Sequence, residues 1–224
     1  MAAALRLAER GVIGEPENIM LFHALYIVAI VAEAMTAALA AGRRSMDWVG
    51  VCLLGCVTAL GGGSTRDVLI GHYPLSSVEH PNYLAVTAGA ALVTIAIARV
   101  MHHLRSIFLV LDAIGLAVFT VIGCNVALDL RLPFIVVIMS GMITGCVGGV
   151  LRDVLCNDIP LLFRNELYAS VSVVAGSLYV GGLAAGLPHD PVMIVAMAAG
   201  LALRLLAIRY GWNMPKFVYT RDLH

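Results

Sequence analysis

Two short segments of the sequence place an arginine beside an aspartate, shortly after paired glycines, within apolar surroundings. The first reads GGGSTRDVLIGHYPL from Gly61 to Leu75, and the second reads VGGVLRDVLCNDIPL from Val147 to Leu161. They align without a gap, and each of the following residues has an identical residue 86 positions later: Gly62, Gly63, Arg66, Asp67, Val68, Leu69, Pro74 and Leu75. Ionisable residues inside a membrane span are costly and usually functional. The duplicated segments are therefore the first candidates for a polar feature within apolar protein.

The glycines of the two segments predict a kink or break in the helices that carry them. Each glycine costs up to about 1 kcal/mol relative to alanine in a helix interior, and sharp kinks have identifiable local causes of this kind. Backbone that lacks its helical hydrogen bonds is tolerated inside a membrane only where it faces protein or water. We therefore expect Gly61, Gly62 and Gly63 in the first segment, and Gly148 and Gly149 in the second, to act as hinges.

The arginine–aspartate pairs are expected to bond across the two segments. Adjacent helical residues point about 100° apart, so we expect Arg66 to pair with Asp153, and Arg152 to pair with Asp67. A second interpretation stays open. Arg66 lies about 30 Å along a straight helix that starts near Met46, where an arginine can extend to the membrane surface and act as an anchor.

Few other side chains suggest chemistry. Glu33 lies in the middle of an apolar segment and either lines a cation path or bonds to a neighbouring helix, while Asp112 and Asn125 lie near the two ends of another segment. The nucleotide-binding pattern G-x-x-x-x-G-K-[ST] is absent. The five cysteines lack the spacing of a zinc site. We therefore expect no enzyme, no catalytic residue, no metal and no resident cofactor.

The composition points to a membrane protein. Of the 224 residues, 61% are hydrophobic and 12% are charged, and the mean hydropathy is +0.94. Soluble domains are about half apolar and about a quarter charged, so a soluble enzyme and a disordered chain are both excluded. Lysine plus arginine number 14, as do aspartate plus glutamate, and there is no basic cluster. Nucleic-acid binding, which needs a positive patch, is therefore not expected.

Seven segments resemble membrane spans, since a spanning helix needs about 20 mostly apolar residues. They cover residues 19–41, 46–71, 82–99, 107–128, 132–156, 166–186 and 191–209. The duplicated motifs fall in the second and fifth segments, so the repeated unit is three spans, and an odd number of spans inverts the second copy. The predicted fold is an all-α polytopic membrane protein with seven transmembrane helices, in two inverted three-helix repeats plus a seventh helix. Such repeats are a recurring plan of transport proteins.

The same pattern divides the chain into four parts. They are an N-terminal segment at 1–18, a first three-helix repeat at 19–106, a second at 107–188, and the seventh helix with its tail at 189–224.

The distribution of basic residues predicts the orientation, because cytoplasmic loops are enriched in lysine and arginine. With the N-terminus outside, the inner loops and tail hold Arg43, Arg44, Arg99, Arg105, Arg164, Arg209, Lys216 and Arg221. The outer side then holds only Arg6, Arg10 and Arg131. We therefore expect the C-terminus in the cytoplasm.

At the duplicated motifs the chain resembles a known bacterial family. GGGSTRDVL followed by Pro74, and GGVLRDVL followed by Pro160, are similar to the UPF0126 inner-membrane proteins, also labelled a glycine-transporter domain. That family is related to the trimeric intracellular cation channels, called TRIC channels. The resemblance extends from about Met20 to Trp212 and implies a location in the bacterial inner membrane.

The resemblance carries further implications. Members are homotrimers with one pore per subunit, bounded by spans one to six, and they conduct monovalent cations such as potassium or sodium. By motif, the paired glycines would be the hinges, and the polar pathway would include Arg66, Asp67, Arg152 and Asp153, to which the interior Glu33 is added. The partners would be further copies of the chain, membrane lipid and the permeant cations. Animal members bind a phosphoinositide through lysines, whereas Lys216 is the sole lysine here, so that regulation is not expected.

Three functions fit the sequence. A passive cation channel agrees with the inverted repeats and the absence of an energy-coupling motif. A secondary transporter of a small zwitterion such as glycine would use the same interrupted helices, with a half-helix N-terminus facing the carboxylate. A non-conducting structural membrane protein leaves the duplicated glycines unexplained.

Overall fold

The computed structural model of the chain describes residues 16–98, 104–163 and 167–212. Seven helices of at least 16 residues lie in these ranges. They are α1 Pro16–Arg43, α2 Trp48–Ile70, α3 Asn82–Ala98, α4 Leu104–Asp129, α5 Phe134–Leu155, α6 Ala169–Ala184 and α7 His189–Tyr210. A one-turn helix at Ser76–Glu79 follows α2, and a 3-10 turn at Leu161–Phe163 follows α5. The prediction of an all-helical fold is confirmed.

Five of the helices in the described ranges are long and apolar enough to cross a membrane. These spans are Met20–Arg43, Trp48–Ile70, Leu104–Asp129, Phe134–Leu155 and His189–Tyr210. Helices α3 and α6 are apolar but shorter, with 17 and 16 residues. Each predicted segment falls on one of the seven helices, and the count of seven spans stays a prediction.

Much of the predicted N-terminal segment lies outside the described residues. So do several residues on which the predicted orientation depends: Arg6, Arg10, Arg99, Arg164, Lys216 and Arg221. The orientation of the chain therefore stays a prediction.

The backbone repeats itself with the same offset of 86 residues as the motifs. Helix α1 ends at Arg43 and α4 ends at Asp129; α3 ends at Ala98 and α6 ends at Ala184. The turn from α1 to α2 has its counterpart between α4 and α5. In these turns the amide nitrogens of Met46 and Leu132 donate to the carbonyls of Ala41 and Ala127, at 3.3 and 3.2 Å. The duplication therefore includes the connections as well as the motifs.

The ends of α2 and α5 are also alike. Each helix is followed by a residue with left-handed backbone, Gly71 with φ 72° and Asn157 with φ 53°. Glycine and asparagine are the residues that adopt this conformation most readily after a helix. In each copy the amide of the next residue bonds to the backbone carbonyl of the motif aspartate, at 2.9 and 2.8 Å. Both helices therefore end with the same backbone conformation and the same hydrogen bond.

Helices α2 and α5 cross at the paired glycines. A Cβ atom on Gly62 would collide with the backbone carbonyl of Thr144, and one on Gly148 would collide with the carbonyl of Thr58. Thr58 and Thr144 are again 86 positions apart, so the two contacts are equivalent. As the residue number rises along α2 it falls along α5, which means that the two helices run antiparallel where they cross.

The predicted break at the glycines is wrong, whereas a kink there stays a prediction. Helices α2 and α5 continue through Gly61–Gly63 and Gly148–Gly149 as regular α-helix. The physical reason is that glycine weakens an isolated helix, whereas here its missing side chain allows the backbones of two helices to touch. Packing of the crossing offsets the intrinsic cost of the glycines.

Helices α1 and α4 lie around this crossing. Helix α4 packs against α1, α5, α6 and α7, and α1 packs against α2, α3 and α4. Their inward faces bury small and aliphatic residues together with a few charged ones. Apart from Arg204 of α7, the buried charged residues among those described gather at the ends of α2 and α5.

Candidate functional site

The first motif forms an ion pair within itself. Arg66 and Asp67 are 2% and 0% exposed. The guanidinium of Arg66 donates from Nε and NH2 to Oδ1 of Asp67, at 2.9 and 2.6 Å. The interpretation of Arg66 as an anchor that extends to the membrane surface does not fit, because its side chain is enclosed by protein.

The second motif repeats the arrangement. Nε of Arg152 donates to Oδ1 of Asp153 at 2.8 Å. The predicted pairs between the motifs, Arg66 with Asp153 and Arg152 with Asp67, are therefore wrong. The angle of 100° between neighbouring side chains does not keep the arginine away from the adjacent aspartate, because a long arginine side chain can fold back along the helix surface. The antiparallel crossing also places the two motifs on opposite sides of it, each roughly 7 Å along its helix from the crossing glycine.

Each motif aspartate also fastens the chain that follows its helix. Oδ2 of Asp67 accepts the amide N–H of Ser76 at 2.9 Å, and Oδ2 of Asp153 accepts the amide N–H of Leu161 at 2.9 Å. Ser76 and Leu161 are the first residues of the short helical turns after α2 and α5. First-turn amides have no partner within their own helix, so the carboxylate satisfies one of them while it holds the arginine.

The surroundings of the two arginines differ. Arg66 has one further contact to a side chain, as its NH2 donates to Oγ of Ser76 at 3.2 Å. His72 lies at the rim, with Nδ1 at 3.1 Å from Oδ1 of Asp67. In the part of the chain that the structure describes, the cluster around Arg66 therefore pairs one guanidinium with one carboxylate.

Arg152 is surrounded by more acidic groups. Its NH1 donates to Oδ1 of Asp112 at 2.9 Å and to Oγ1 of Thr36 at 3.0 Å, and it lies 3.8 Å from Oε2 of Glu33. The ring of Phe108 packs against the guanidinium, with 4.5 Å from Cζ to the ring centroid. We call Glu33, Asp112, Arg152 and Asp153 the second-motif cluster. All four are buried.

Three atoms of the second-motif cluster have no hydrogen-bond partner among the described residues: Oε1 of Glu33, Oδ2 of Asp112 and NH2 of Arg152. The hydroxyl of Tyr168 donates to Oδ1 of Asp112 at 3.3 Å. The Thr36 hydroxyl lies 3.1 Å from Oε2 of Glu33. The cluster is therefore charged, enclosed and incompletely bonded.

Sequence reasoning found part of this site. It singled out Glu33 and the motif residues, and the structure brings Glu33 to Arg152. It noted Asp112 without assigning it, and it passed over Thr36, Phe108 and Tyr168. The residues 86 positions from Asp112, Thr36 and Tyr168 are of other types, so the repeat does not single these three out. Phe108 does have a phenylalanine, Phe22, at the equivalent position.

The remaining glycines of the two motifs have different neighbours. A Cβ atom on Gly61 would meet Cδ1 of Leu151 at 2.6 Å, and one on Gly149 would meet the hydroxyl of Tyr168 at 3.2 Å. Gly63 has open space except for NH2 of Arg66, at 3.9 Å. Their role as hinges stays a prediction.

Duplicated apolar helices that cross at glycines and enclose charged residues define a helical multi-pass membrane protein. A family model described as "Glycine transporter" matches residues 23–99 and 109–184, each range within one predicted repeat. The chain belongs to this family, which includes the UPF0126 membrane proteins, and its fold is that of solved TRIC channels.

Three similar proteins illustrate the relationship. The inner membrane protein YadS of Escherichia coli K12 is 37% identical over 205 residues, which is 91% of this chain and 99% of that protein. The TRIC channel orthologue of Rhodobacter sphaeroides is 32% identical, with a TM-score of 0.82 over 85% of this chain and 98% of its own. A second solved structure, described under conductance through TRIC cation channels, is 33% identical with a TM-score of 0.82 over 90% of this chain and 99% of its own.

Proposed function

We propose that this protein is a passive channel for monovalent cations, permeable to potassium. The observation that carries the proposal is the likeness to solved TRIC cation channels, at 32–33% identity over 85–90% of the chain. The geometry agrees, because charged groups enclosed between membrane helices usually mark an ion pathway.

The proposed pathway follows the crossing of α2 and α5 within one subunit. The crossing brings the two backbones into contact at Gly62 and Gly148, and a motif ion pair lies on either side of it. Bending at the glycines would separate the two helices, and it would open a route bordered by Arg66, Asp67, Arg152 and Asp153. Glu33 would border the same route beside Arg152.

The proposed assembly is a homotrimer with one pore per subunit, in the bacterial inner membrane. Each subunit would have seven spans, with inverted repeats, the N-terminus outside and the C-terminus in the cytoplasm. The antiparallel crossing of α2 and α5 supports the inversion. Its relatives are membrane and channel proteins, which supports a role without catalysis or a resident cofactor.

The deciding measurement is current through purified protein in a planar bilayer under a potassium chloride gradient. We expect discrete current steps that reverse near the potassium equilibrium potential. A silent bilayer with protein that is correctly folded, as judged by gel filtration, would contradict the channel.

The second candidate is a carrier of glycine, which the description of the family model favours. A carrier of this kind would bind the substrate carboxylate at the N-terminus of a broken helix. The continuity of α2 and α5 through their glycines removes the half-helices on which that interpretation depended. Saturable uptake of labelled glycine into liposomes, with no current in the bilayer, would favour the carrier.

A further inference from the structure

The two halves of the molecule carry different groups at matched positions around their arginines. In the second half, Glu33 and Asp112 approach Arg152. The residues that correspond to them in the first half, by the offset of 86, are Phe119 and Tyr26. These two rings pack against each other, edge to face, with centroids 6.0 Å apart. An aromatic pair thus occupies in one half the place that two carboxyl groups take in the other.

This difference makes the electrostatics of the two halves unequal. Around Arg66 one guanidinium faces one carboxylate, whereas around Arg152 one guanidinium faces three. The carboxyl groups of Glu33 and Asp112 are 2% and 0% exposed. Three acidic side chains therefore share one guanidinium, so the second-motif cluster has more acidic groups than basic ones.

The packing around Glu33 fixes the position of its carboxyl group near Arg152. The carboxyl of Glu33 lies against Gly115 of α4, where a Cβ atom would approach the carboxyl carbon of Glu33 to 2.7 Å. The corresponding residue in the first half is Ala29. Glycine at position 115 therefore makes room for the acid.

We propose that Glu33 and Asp112 determine the selectivity of the pathway for cations over anions, as oxygen groups that attract a monovalent cation near Arg152. The proposal rests on the channel function proposed above. Three acidic side chains share the guanidinium of Arg152, and this acidic excess favours a cation and repels chloride. The balanced cluster around Arg66 contributes no such preference, so selectivity resides in the second half of the chain.

The test compares charge-neutralising variants of nearly unchanged shape. Purified Glu33→Gln, Asp112→Asn and the double variant are measured in planar bilayers under a potassium chloride gradient, together with Glu79→Gln. Glu79 is an exposed acid on the one-turn helix after α2, so the control removes one charge away from the second-motif cluster. The reversal potential gives the ratio of potassium to chloride permeability.

We expect each single variant to lower the permeability ratio by about fivefold, since one interior charge is lost, and the double variant to lower it further. The control should keep the wild-type ratio. A second pair of variants keeps the charge: Glu33→Asp and Asp112→Glu should retain cation preference, which separates loss of charge from loss of fold. Gly115→Ala should act like Glu33→Gln, because it displaces the carboxyl.

Unchanged selectivity in both neutral variants overturns the proposal. An unchanged ratio in Glu33→Gln alone would mean that Glu33 holds a proton, because the amide imitates the neutral acid, and it would overturn the proposal for that residue. Failure of the channel function looks different, since the wild-type protein would then pass no current at all.

Discussion

At the scale of single residues, the duplicated motif works as a local clamp. The arginine binds the aspartate next to it, and the aspartate binds the first amide of the turn that follows the helix. The two copies differ in what else surrounds the arginine. Arg66 is balanced by one carboxylate, whereas Arg152 is bonded to two and lies close to a third.

This difference predicts unequal effects of removing the two arginines. Arg152→Gln should destabilise the protein more than Arg66→Gln, because it leaves three buried carboxyl groups without a cation rather than one. Breaking a buried ion pair costs about 3–5 kcal/mol, and we expect Arg152→Gln to reach at least the upper end of that range. Thermal unfolding in detergent, followed by tryptophan fluorescence or by gel filtration, provides the measurement. Equal losses in the two variants would contradict the described charge balance.

The sequence revealed the residues of the motif but not their partners. Arg66, Asp67, Arg152 and Asp153 stand out because charged residues are rare in this chain and these recur at a fixed offset. Their pairing could not be predicted from side-chain directions, since the reach of an arginine exceeds the angular separation of adjacent residues. Asp112 contacts Arg152 because α4 packs against α5. The repeat in the sequence does not predict this contact.

At the scale of helices, the glycines make a contact that no other residue allows. Apolar segment length predicted the positions of all seven helices, because hydrophobicity alone marks such segments. The continuity of α2 and α5 was not predictable in that way. Intrinsic helix propensity argues for a break, and the stabilising contact comes from a helix about 86 residues away in sequence.

A small substitution at the crossing should therefore be costly. Gly62→Ala and Gly148→Ala would force the new methyl group against the carbonyl of Thr144 or Thr58, so we expect a destabilisation of about 1–3 kcal/mol for each, typical of overpacking. Gly89→Ala is the matched control. Gly89 lies within α3, and among the described residues nothing beyond its own stretch of helix backbone comes within 4 Å of its Cβ position, so alanine there should be neutral or stabilising. Melting temperatures in one detergent compare the three variants.

A melting temperature of Gly62→Ala at or above that of the parent would show that the helices separate at no cost. The crossing would then be a loose contact and could not hold the two halves together.

At the scale of the whole molecule, the motifs and the ends of α1 and α3 recur 86 residues later, and α2 and α5 meet through an antiparallel crossing. Helix α7 has no counterpart and packs against α4 and α6. Near its start the hydroxyl of Tyr179 lies 2.9 Å from Nε2 of His189, and further along the guanidinium of Arg204 lies over the ring of Tyr168, 4.8 Å from its centroid. Tyr168 in turn bonds to Asp112, so α7 supports the second-motif cluster from outside the repeat.

The antiparallel crossing predicts that the turns after α2 and α5 reach opposite faces of the membrane. Val78 and Ile159 are 64% and 67% exposed in these turns. In intact cells a membrane-impermeant maleimide should label Val78→Cys, whereas Ile159→Cys should react only after the membrane is opened. The parent protein, with its own five cysteines, measures the background. Labelling of both positions from one side would disprove the inverted arrangement.

The reciprocal contact of Gly62 with Thr144 and of Gly148 with Thr58 also has an evolutionary consequence. Each half supplies one glycine and one threonine carbonyl, so the crossing is in effect the interface of an antiparallel dimer contained in one polypeptide. An ancestral three-helix protein that inserted in both orientations would have built the same interface from two separate copies. Fusion of two such copies would leave the halves free to diverge, and here one half has aromatic rings where the other has carboxyl groups.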